Sequence, residues 1–494
     1  MAILDEGVTC WRVVTADRAA ILIDGQAYYA ALSAALNSAR RQILLLGWSF
    51  DSRTHLAPEA AALGDIGDLL IGLSQGNPDL DVRVLIWRSA LAVSITQGFF
   101  PHRARAKFAG TAVKFRLDAS TPFGACHHQK IIVIDDKVAF CGSSDIAPDR
   151  WDTTAHLDRD ARRRGPGGAP EQPRHEVMVL LEGPMAAALG ELARDRWRRS
   201  GDHRPIAAPA DAPAPSPWPS DLRADLTGAT CGAARTVPRW RDQPGVSEVQ
   251  ALSLAAIAAA RSVIYLENQY FASPVIAEAL AGRLSEPDGP QVVLVTTQHS
   301  ASYFDRLTMD RMRSVLLWRL RAADIFGRFR AFAPVTTGGQ TIIVHAKIMI
   351  IDDVLARIGS ANINNRSAGF DTECDLAIEA SDDAGRRAVT GLMDTLAGHW
   401  VARPAEAVAQ ARAVNGGLIG ALEALNNHGR LLTVEPAKLG PFGEFVSAFH
   451  LGDPADVSDS WRPGRRRERI YAKVRSVRAA ADTVLAKGGS DLVG

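Results

Sequence analysis

Short apolar runs and longer amphipathic stretches alternate along most of the chain. Residues 131–134 read Ile-Ile-Val-Ile and residues 348–351 read Ile-Met-Ile-Ile. Such short β-branched runs are typical of strands that are buried on both faces of a sheet. Other stretches, such as residues 30–40, carry apolar residues at helical spacing. This alternation predicts an α/β fold whose sheets are flanked by helices.

The order of these elements occurs twice. A strand at 43–46 follows the first helix and leads to Phe50, and the segment 246–271 repeats this arrangement and ends at Phe271. Two further pairs of apolar runs follow in the same order, at 82–86 and 292–295 and at 113–115 and 330–332. Repetition in a fixed order is the signature of a duplicated structural unit. We therefore predict two tandem α/β lobes.

A polar motif accompanies one strand of each unit and is the main candidate for chemistry. Each copy reads His-x-Lys, four apolar residues and Asp, and after six more residues comes Gly-Ser-x-Asp or Gly-Ser-x-Asn. The two sets are His128, Lys130, Asp135, Ser143 and Asp145, and His345, Lys347, Asp352, Ser360 and Asn362. Because side chains alternate along a strand, the His and Lys of one copy point the same way. Histidine can serve as nucleophile or as acid and base, and lysine suits a phosphate oxygen, so two facing copies would surround one phosphodiester.

The duplicated motif resembles the signature of the phospholipase D superfamily. The similarity extends from about residue 10 to residue 400 and includes the segments 150–153, 263–271, 364–367 and 371–373. It implies two tandem phospholipase D-like lobes with pseudo-twofold symmetry, mixed sheets flanked by helices, and an active site between the lobes. We place the first lobe at 1–205, a Pro/Ala-rich linker at 206–220, the second lobe at 221–402 and a helical, basic extension at 403–494.

The resemblance also implies roles for individual residues. Family members orient each catalytic histidine with an acidic residue downstream of a motif, and the matching residues are Glu176 and Glu373, with Asp371 as a competitor for the latter. His128 is the expected nucleophile and His345 the expected acid and base, although the near-symmetry of the motifs leaves this order open.

The remaining motif residues complete the predicted site. The polar residues that follow each strand are expected to bind the substrate phosphate; they are Ser143, Asp145, Ser360 and Asn362. The motif aspartates, Asp135 and Asp352, complete the catalytic motif. The aspartates lie past the buried strands, which indicates a structural role at the strand ends. No group of carboxylates is spaced to converge with the histidines, so we expect neither a catalytic metal nor a cofactor.

Composition narrows the function classes. The 494 residues are 47% hydrophobic and 22% charged with a net charge of +1, which argues against a dedicated nucleic-acid surface. Five scattered cysteines favour a reducing compartment. The first residues lack the features of a signal peptide, and the apolar window 255–266 is shorter than the roughly 20 residues of a bilayer span. We expect a cytoplasmic monomer that contacts phospholipid membranes peripherally and binds no nucleic acid.

The resemblance implies a phospholipase D that cleaves the distal phosphodiester of glycerophospholipids through a phosphohistidine intermediate. Such an intermediate would also allow transfer to an alcohol, or transphosphatidylation. Residues 267–271 and the aromatic pairs Phe99-Phe100 and Tyr303-Phe304 favour a lipid substrate. A cardiolipin synthase-like phosphatidyltransferase and a phosphodiesterase or nuclease of the same superfamily are the alternatives.

Overall fold

A computed structural model describes residues 3–58, 64–89, 100–209, 215–300 and 302–490, with side chains described to residue 482. Phe99 and residues 210–214 of the expected linker lie outside the described residues. Within the described parts, sixteen strands belong to one mixed sheet, and helices pack on both of its faces. The α/β fold predicted from the alternating pattern is confirmed.

The strands are β1 (Arg12–Ile23), β2 (Gln42–Gly47), β3 (Asp81–Trp87), β4 (Lys114–Asp118), β5 (Ile131–Ile134), β6 (Val138–Gly142), β7 (Arg174–His175), β8 (Val177–Glu182), β9 (Leu226–Val237), β10 (Val246–Ser247), β11 (Val263–Asn268), β12 (Gln291–Val295), β13 (Phe329–Pro334), β14 (Ile343–Val344), β15 (Lys347–Ile351), β16 (Leu355–Gly359), β17 (Glu373–Glu379) and β18 (Leu431–Thr433).

The α-helices are α1 (Asp24–Asn37), α2 (Ile66–Gly76), α3 (Phe100–Phe108), α4 (Pro184–Arg199), α5 (Glu248–Ala259), α6 (Pro274–Ser285), α7 (Tyr303–Ala323), α8 (Asn365–Gly369), α9 (Asp383–Val401), α10 (Ala405–Val414), α11 (Leu418–Leu425), α12 (Pro441–Ala448) and α13 (Pro463–Ser490). Two short 3-10 turns lie at Pro148–Arg150 and Val457–Asp459.

The strand order is the same in both halves of the sheet when it is counted outward from the centre. The first half reads β1-β8-β6-β5-β2-β3-β4 and the second β9-β17-β16-β15-β11-β12-β13, with β1 and β9 paired antiparallel at the junction. In each half the motif strand, β5 or β15, lies antiparallel to β2 or β11. This arrangement is the pseudo-twofold repeat that the sequence predicts.

The motif strands are buried on both faces because their side chains alternate between two cores. Ile131 and Val133 of β5 join the core under α4 and α9, and that core continues into β15 through Ile348 and Ile350. The intervening residues of β5 face a core formed mainly by the first half, and those of β15 face one formed mainly by the second. Ile3, Leu4 and Cys10 of the N-terminal segment also belong to the latter core. The shared core therefore holds the two motif strands in one rigid framework.

The C-terminal residues pack on the second half of the sheet. Strand β18 pairs with β13 at the sheet edge, and helix α13 packs on α6. The sequence predicts that Gly416 and Gly417 break the helix between 405 and 425, and both have positive φ where α10 gives way to α11. Asp453 accepts hydrogen bonds from the backbone of Asn365 and Arg366, so this segment also reaches the candidate site.

Candidate active site

A cleft of about 720 Å³ lies where the two halves of the chain meet. His128 and Asp145 line it from the first half, and His345 and Asn362 line it from the second. Each His precedes its motif strand, and each Asp or Asn follows the next strand, β6 or β16. The duplicated topology therefore brings both motifs to a single opening.

His128 is held by a carboxylate from the other half of the chain. Its Nδ1 lies 2.9 and 3.1 Å from the two carboxylate oxygens of Glu373, which is fully buried on β17. Ser360 and Ser367 donate their hydroxyls to the same carboxylate, at 2.5 and 2.7 Å. Because a carboxylate accepts, Nδ1 of His128 donates, and Nε2 keeps its lone pair.

His345 is held in the equivalent way by the first half of the chain. Its Nδ1 lies 2.9 Å from Oε2 of Glu176, and Ser143 donates its hydroxyl to that same oxygen at 2.6 Å. The guanidinium of Arg150 lies 3.7 Å and that of Arg174 4.0 Å from the other oxygen, Oε1. Glu176 thus accepts a hydrogen bond from one histidine and lies close to two guanidinium cations.

Each histidine is consequently oriented by a glutamate that follows the opposite motif. Backbone hydrogen bonds accompany this exchange: the N–H of His128 donates to the carbonyl of Thr372 at 3.0 Å, and the N–H of His345 donates to the carbonyl of His175 at 2.8 Å. Strands β7 and β14, which lead to Glu176 and His345, pair in parallel at the same place. The candidate site therefore forms only when both halves dock.

The two motif lysines are buried beside the histidines. The ammonium of Lys130 donates to the carbonyl of His128 at 3.0 Å and lies 3.3 Å from the Asp145 carboxylate. The ammonium of Lys347 donates to the carbonyl of His345 at 2.5 Å and lies 3.4 Å from the side-chain oxygen of Gln269. Both ammonium groups retain a third donor position for a phosphate oxygen.

Burial and these cations set the protonation of the site. Burial, followed by the charges of Lys130 and Lys347, lowers the pKa of His128, and burial followed by Lys347 lowers the pKa of His345. Burial likewise raises the pKa of Glu373 to about 8. Burial lowers the pKa of Lys347 as well. An anionic phosphate beside the neutral histidines would stabilise the protonated form of this lysine.

Ser143 and Ser360 are not positioned to bind substrate phosphate, in contrast to the prediction from the sequence. Both are fully buried, and each hydroxyl is bonded to the glutamate that orients a histidine. The prediction failed because the Gly-Ser turn places the serine behind the histidine and the following Asp or Asn at the cleft. Asp145 and Asn362 do line the cleft, as required for the predicted role.

The motif aspartates bind backbone at the start of a neighbouring strand. The carboxylate of Asp135 accepts hydrogen bonds from the three consecutive N–H groups of residues 40–42, at 2.7–2.8 Å. Asp352 does the same for residues 261–263. These contacts argue against grouping the aspartates with the catalytic side chains and match the structural role that their positions indicate.

Asp371 is not the partner of a histidine. Its carboxylate pairs with Arg366 at 2.7 and 2.8 Å and accepts the N–H of Cys126 at 2.9 Å. Of the two acidic candidates in this segment, Glu373 is the one that reaches His128.

Several cleft residues were not assigned a role from the sequence. Trp48 presents an edge-to-face contact to the His128 ring, with centroids 6.4 Å apart, and Arg150 and Arg174 line the cleft beside Glu176. The repeat offered a signal for Trp48, because Phe50 and Phe271 are equivalent and Trp48 therefore corresponds to Gln269 in the conspicuous segment 263–271. No such signal existed for Arg174, whose counterpart in the second half is an acid.

The segment 267–271 divides between the cleft and the interior. Gln269 and Tyr270 line the cleft, and Tyr270 donates its hydroxyl to Asp305 at 2.9 Å. Asn268 accepts the N–H of Ile363, and the fully buried Glu267 contacts His175.

Among the described helices, none combines the length and apolar character that crossing a bilayer requires.

Comparison with known proteins identifies similar chains. Residues 35–213 match the family model described as phospholipase D, and residues 254–391 match the one described as cardiolipin synthase, PLD-like domain. Phospholipase D alpha 1 of Nicotiana tabacum is 24% identical over 480 aligned residues, which cover 70% of this chain and 59% of the relative. Phospholipase D A of Dictyostelium discoideum is 22% identical over an alignment that covers 74% of this chain and 33% of the relative.

The chain thus spans only part of the length of these curated relatives. A similar fold is found in a solved structure described as phosphatidylserine synthase of Haemophilus influenzae Rd KW20. The TM-score is 0.53 at 12% identity, and the match covers 97% of both chains. This likeness concerns the fold of nearly the whole chain.

Proposed function

Because the chain belongs to the phospholipase D superfamily, we propose that it is a phospholipase D that hydrolyses the distal phosphodiester of glycerophospholipids. The observation that carries the proposal is the pair of histidines at one cleft, each with Nδ1 held by a buried glutamate. This arrangement leaves both Nε2 atoms for chemistry at phosphorus, with a lysine ammonium beside each histidine.

The proposed reaction has two displacements. In the first, Nε2 of one histidine, taken as His128 from the family resemblance, forms a bond to phosphorus while the bond to the head-group oxygen breaks. The other histidine, His345, enters this step as an imidazolium, which Glu176 and the bound phosphate anion would stabilise, and it donates its Nε2 proton to that oxygen. In the second, His345 takes a proton from water or an alcohol, whose oxygen attacks phosphorus and breaks the P–N bond. Lys130 and Lys347 stabilise the added negative charge on the phosphoryl oxygens in both steps.

Exposed aromatic side chains near the cleft support a lipid substrate. Phe304 lines the cleft and is 57% exposed, and the adjacent Tyr303 is 77% exposed. Phe123 and Trp461 are also exposed, and their ring centroids lie 5.9 Å apart. Large aromatic rings that face water at the mouth of a site are suited to the interface of a bilayer.

The test is to incubate the purified protein with mixed phospholipid vesicles and a little ethanol, without added metal, and to identify the lipid products. Phosphatidic acid together with phosphatidylethanol is the expected result. The variants His128→Ala and His345→Ala should form neither product, whereas His428→Ala, which replaces an exposed histidine, should keep the activity.

Other outcomes separate the alternatives. Cleavage of single-stranded DNA with no lipid product would contradict the proposed substrate and favour a nuclease. Phosphatidyl transfer to alcohols without hydrolysis would instead favour a phosphatidyltransferase. Normal turnover by either histidine variant would contradict the proposed chemistry itself.

A further inference from the structure

A second cluster of histidines lies behind the cleft, among side chains that the proposed reaction does not use. It comprises Asp24 at the start of α1, His156 in the loop after β6, His175 on β7 and His399 near the end of α9. One ligand atom from each lies within 4.8 Å of those of the other three. Asp24, His156 and His175 are fully buried, and the side chain of His399 is 5% exposed.

His175 differs from the other members of the cluster in its hydrogen bonds. Its Nδ1 lies 2.8 Å from Oδ1 of Asp24, and its Nε2 lies 2.9 Å from Oε2 of Glu267. Both nitrogens of His175 are therefore in use, and its role is to orient the Asp24 carboxylate.

Three other atoms of the cluster have no hydrogen-bond partner among the described residues: Oδ2 of Asp24, Nε2 of His156 and Nε2 of His399. The two nitrogens lie 3.6 and 3.8 Å from Oδ2 of Asp24, which is too far for a hydrogen bond. Buried polar atoms without partners are costly, and here three of them converge on one point.

These separations fit a metal ion. Zinc binds imidazole nitrogen and carboxylate oxygen at about 2.0–2.2 Å, so two ligands of a tetrahedral ion lie about 3.3–3.4 Å apart. The observed distances exceed this value by a few tenths of an ångström, which side-chain rotation can supply. Water would complete the fourth position.

The surroundings resemble those of known metal ligands. Nδ1 of His156 lies 2.8 Å from Asp152, a carboxylate that can only accept, so Nε2 of His156 carries a lone pair. Arg163 in turn donates to Asp152 at 2.8 Å. Asp24 and His156 both have positive φ, at 66° and 41°, and such strained backbone is concentrated at functional sites.

From these observations we propose that Asp24, His156 and His399 bind one divalent first-row transition metal ion, with Zn²⁺ the best fit to two imidazoles and a carboxylate. The ion would be structural rather than catalytic. It would join Asp24 and His156 of the first half to His399 on α9 of the second half. The backbone N–H of Asp24 donates to the carbonyl of Glu176, and the N–H of Glu176 donates to Oδ1 of Asp24, so the ion would stiffen the support of His345.

The test measures metal content and stability of the full-length protein, independently of any lipid activity. After incubation with Zn²⁺ and dialysis, elemental analysis should give about one ion per chain. His399→Gln and His156→Gln should retain less than about a tenth of that amount. His450→Gln, which replaces a buried histidine outside the cluster, should bind like the wild type.

A chelator should lower the melting temperature of the wild type and leave that of His399→Gln unchanged, because only the former has an ion to lose. If the variants fail to fold, X-ray absorption at the zinc edge of the wild type serves instead and should show two imidazoles and further N/O ligands at about 2.0–2.1 Å. No bound metal in folded wild type, or equal binding by His399→Gln, would overturn the proposal and leave water as the occupant.

Discussion

At the scale of single residues, Glu176 and Glu373 occupy equivalent positions but have different electrostatic surroundings. The ion pair beside Glu176 is Asp149 with Arg174, at 3.0 Å, and the equivalent pair beside Glu373 is Arg366 with Asp371, at 2.7 Å. The acid and the base have exchanged places in the two halves. The two histidines are therefore chemically unequal despite identical motifs, which suits a reaction in which they have different roles.

The glutamates should be as necessary for turnover as the histidines that they orient. Glu176→Gln and Glu373→Gln each leave an amide that cannot carry negative charge when its histidine becomes an imidazolium, and we expect losses of about 10²–10⁴-fold in kcat. Asp371→Asn is the matched control, because Asp371 contacts Arg366 and the backbone but no motif histidine. Steady-state kinetics on short-chain phospholipids would measure all three. A larger loss in Asp371→Asn than in Glu373→Gln would contradict the assignment.

The raised pKa of Glu373 has a consequence for stability. Its pKa of about 8 in the folded protein exceeds the ordinary value of about 4.5, so the folded state binds the proton more tightly than the unfolded state. The resulting stabilisation is complete below pH 4.5 and is lost as the pH rises through 8.

Glu373→Gln cannot titrate, so wild type should lose stability relative to this variant between pH 5 and pH 8.5, by about 2–4 kcal/mol. Urea unfolding of both proteins at the two pH values would measure the difference. A constant difference would show that the carboxylate ionises normally.

At the scale of elements, the motif aspartates act as clamps between strands. Asp135 and Asp352 have φ of 57° and 51°, and each ties the turn after a motif strand to the first residues of the neighbouring strand. We expect Asp135→Ala to lower the free energy of unfolding by about 2–4 kcal/mol, because three partly or fully buried backbone donors lose a charged acceptor. Asp352→Ala should cost less, because two of its three backbone contacts are exposed.

The turnover number of the folded fraction should change less than about threefold in these variants, because the aspartates contact no cleft side chain in the described structure. Asp136→Ala is the control, since Asp136 has the same left-handed backbone (φ of 54°) and forms a partly buried ion pair with Arg194 at 2.8 Å, and it should cost less than Asp135→Ala. Chemical denaturation and kinetics on the same samples would separate the two effects. Loss of turnover without loss of stability would return the aspartates to the catalytic set.

The elements could be predicted from the sequence because their signals are local. The continuous apolar, β-branched runs at 131–134 and 348–351 identified the motif strands, and the two glycines at 416–417 identified a helix break. The phosphate-binding role expected for Ser143 and Ser360 does not match their buried positions, because the signal that decides it is not local. Which end of a Gly-Ser turn reaches the cleft depends on how β6 and β16 lie beside β8 and β17, and that packing has no local signal.

At the scale of the whole molecule, the candidate site depends on docking of the two halves. The repeat predicts two similar lobes, but it does not predict that the glutamate of each lobe serves the histidine of the other. That exchange follows from the antiparallel junction of β1 and β9, which turns the two halves face to face. The cluster of Asp24, His156 and His399 is likewise invisible in the sequence, because its members are more than a hundred residues apart and belong to different elements.

The central claim is that two histidines from opposite halves act in succession on one phosphorus atom. The most direct test is the stereochemical course at that atom. A phospholipid made chiral at phosphorus with sulfur and oxygen isotopes would be transferred to ethanol, and the configuration of the product determined. Each of the two displacements through a histidine intermediate inverts the configuration at phosphorus, so net retention is expected from the proposed mechanism. Net inversion would contradict it, because the alcohol would then have displaced the head group directly.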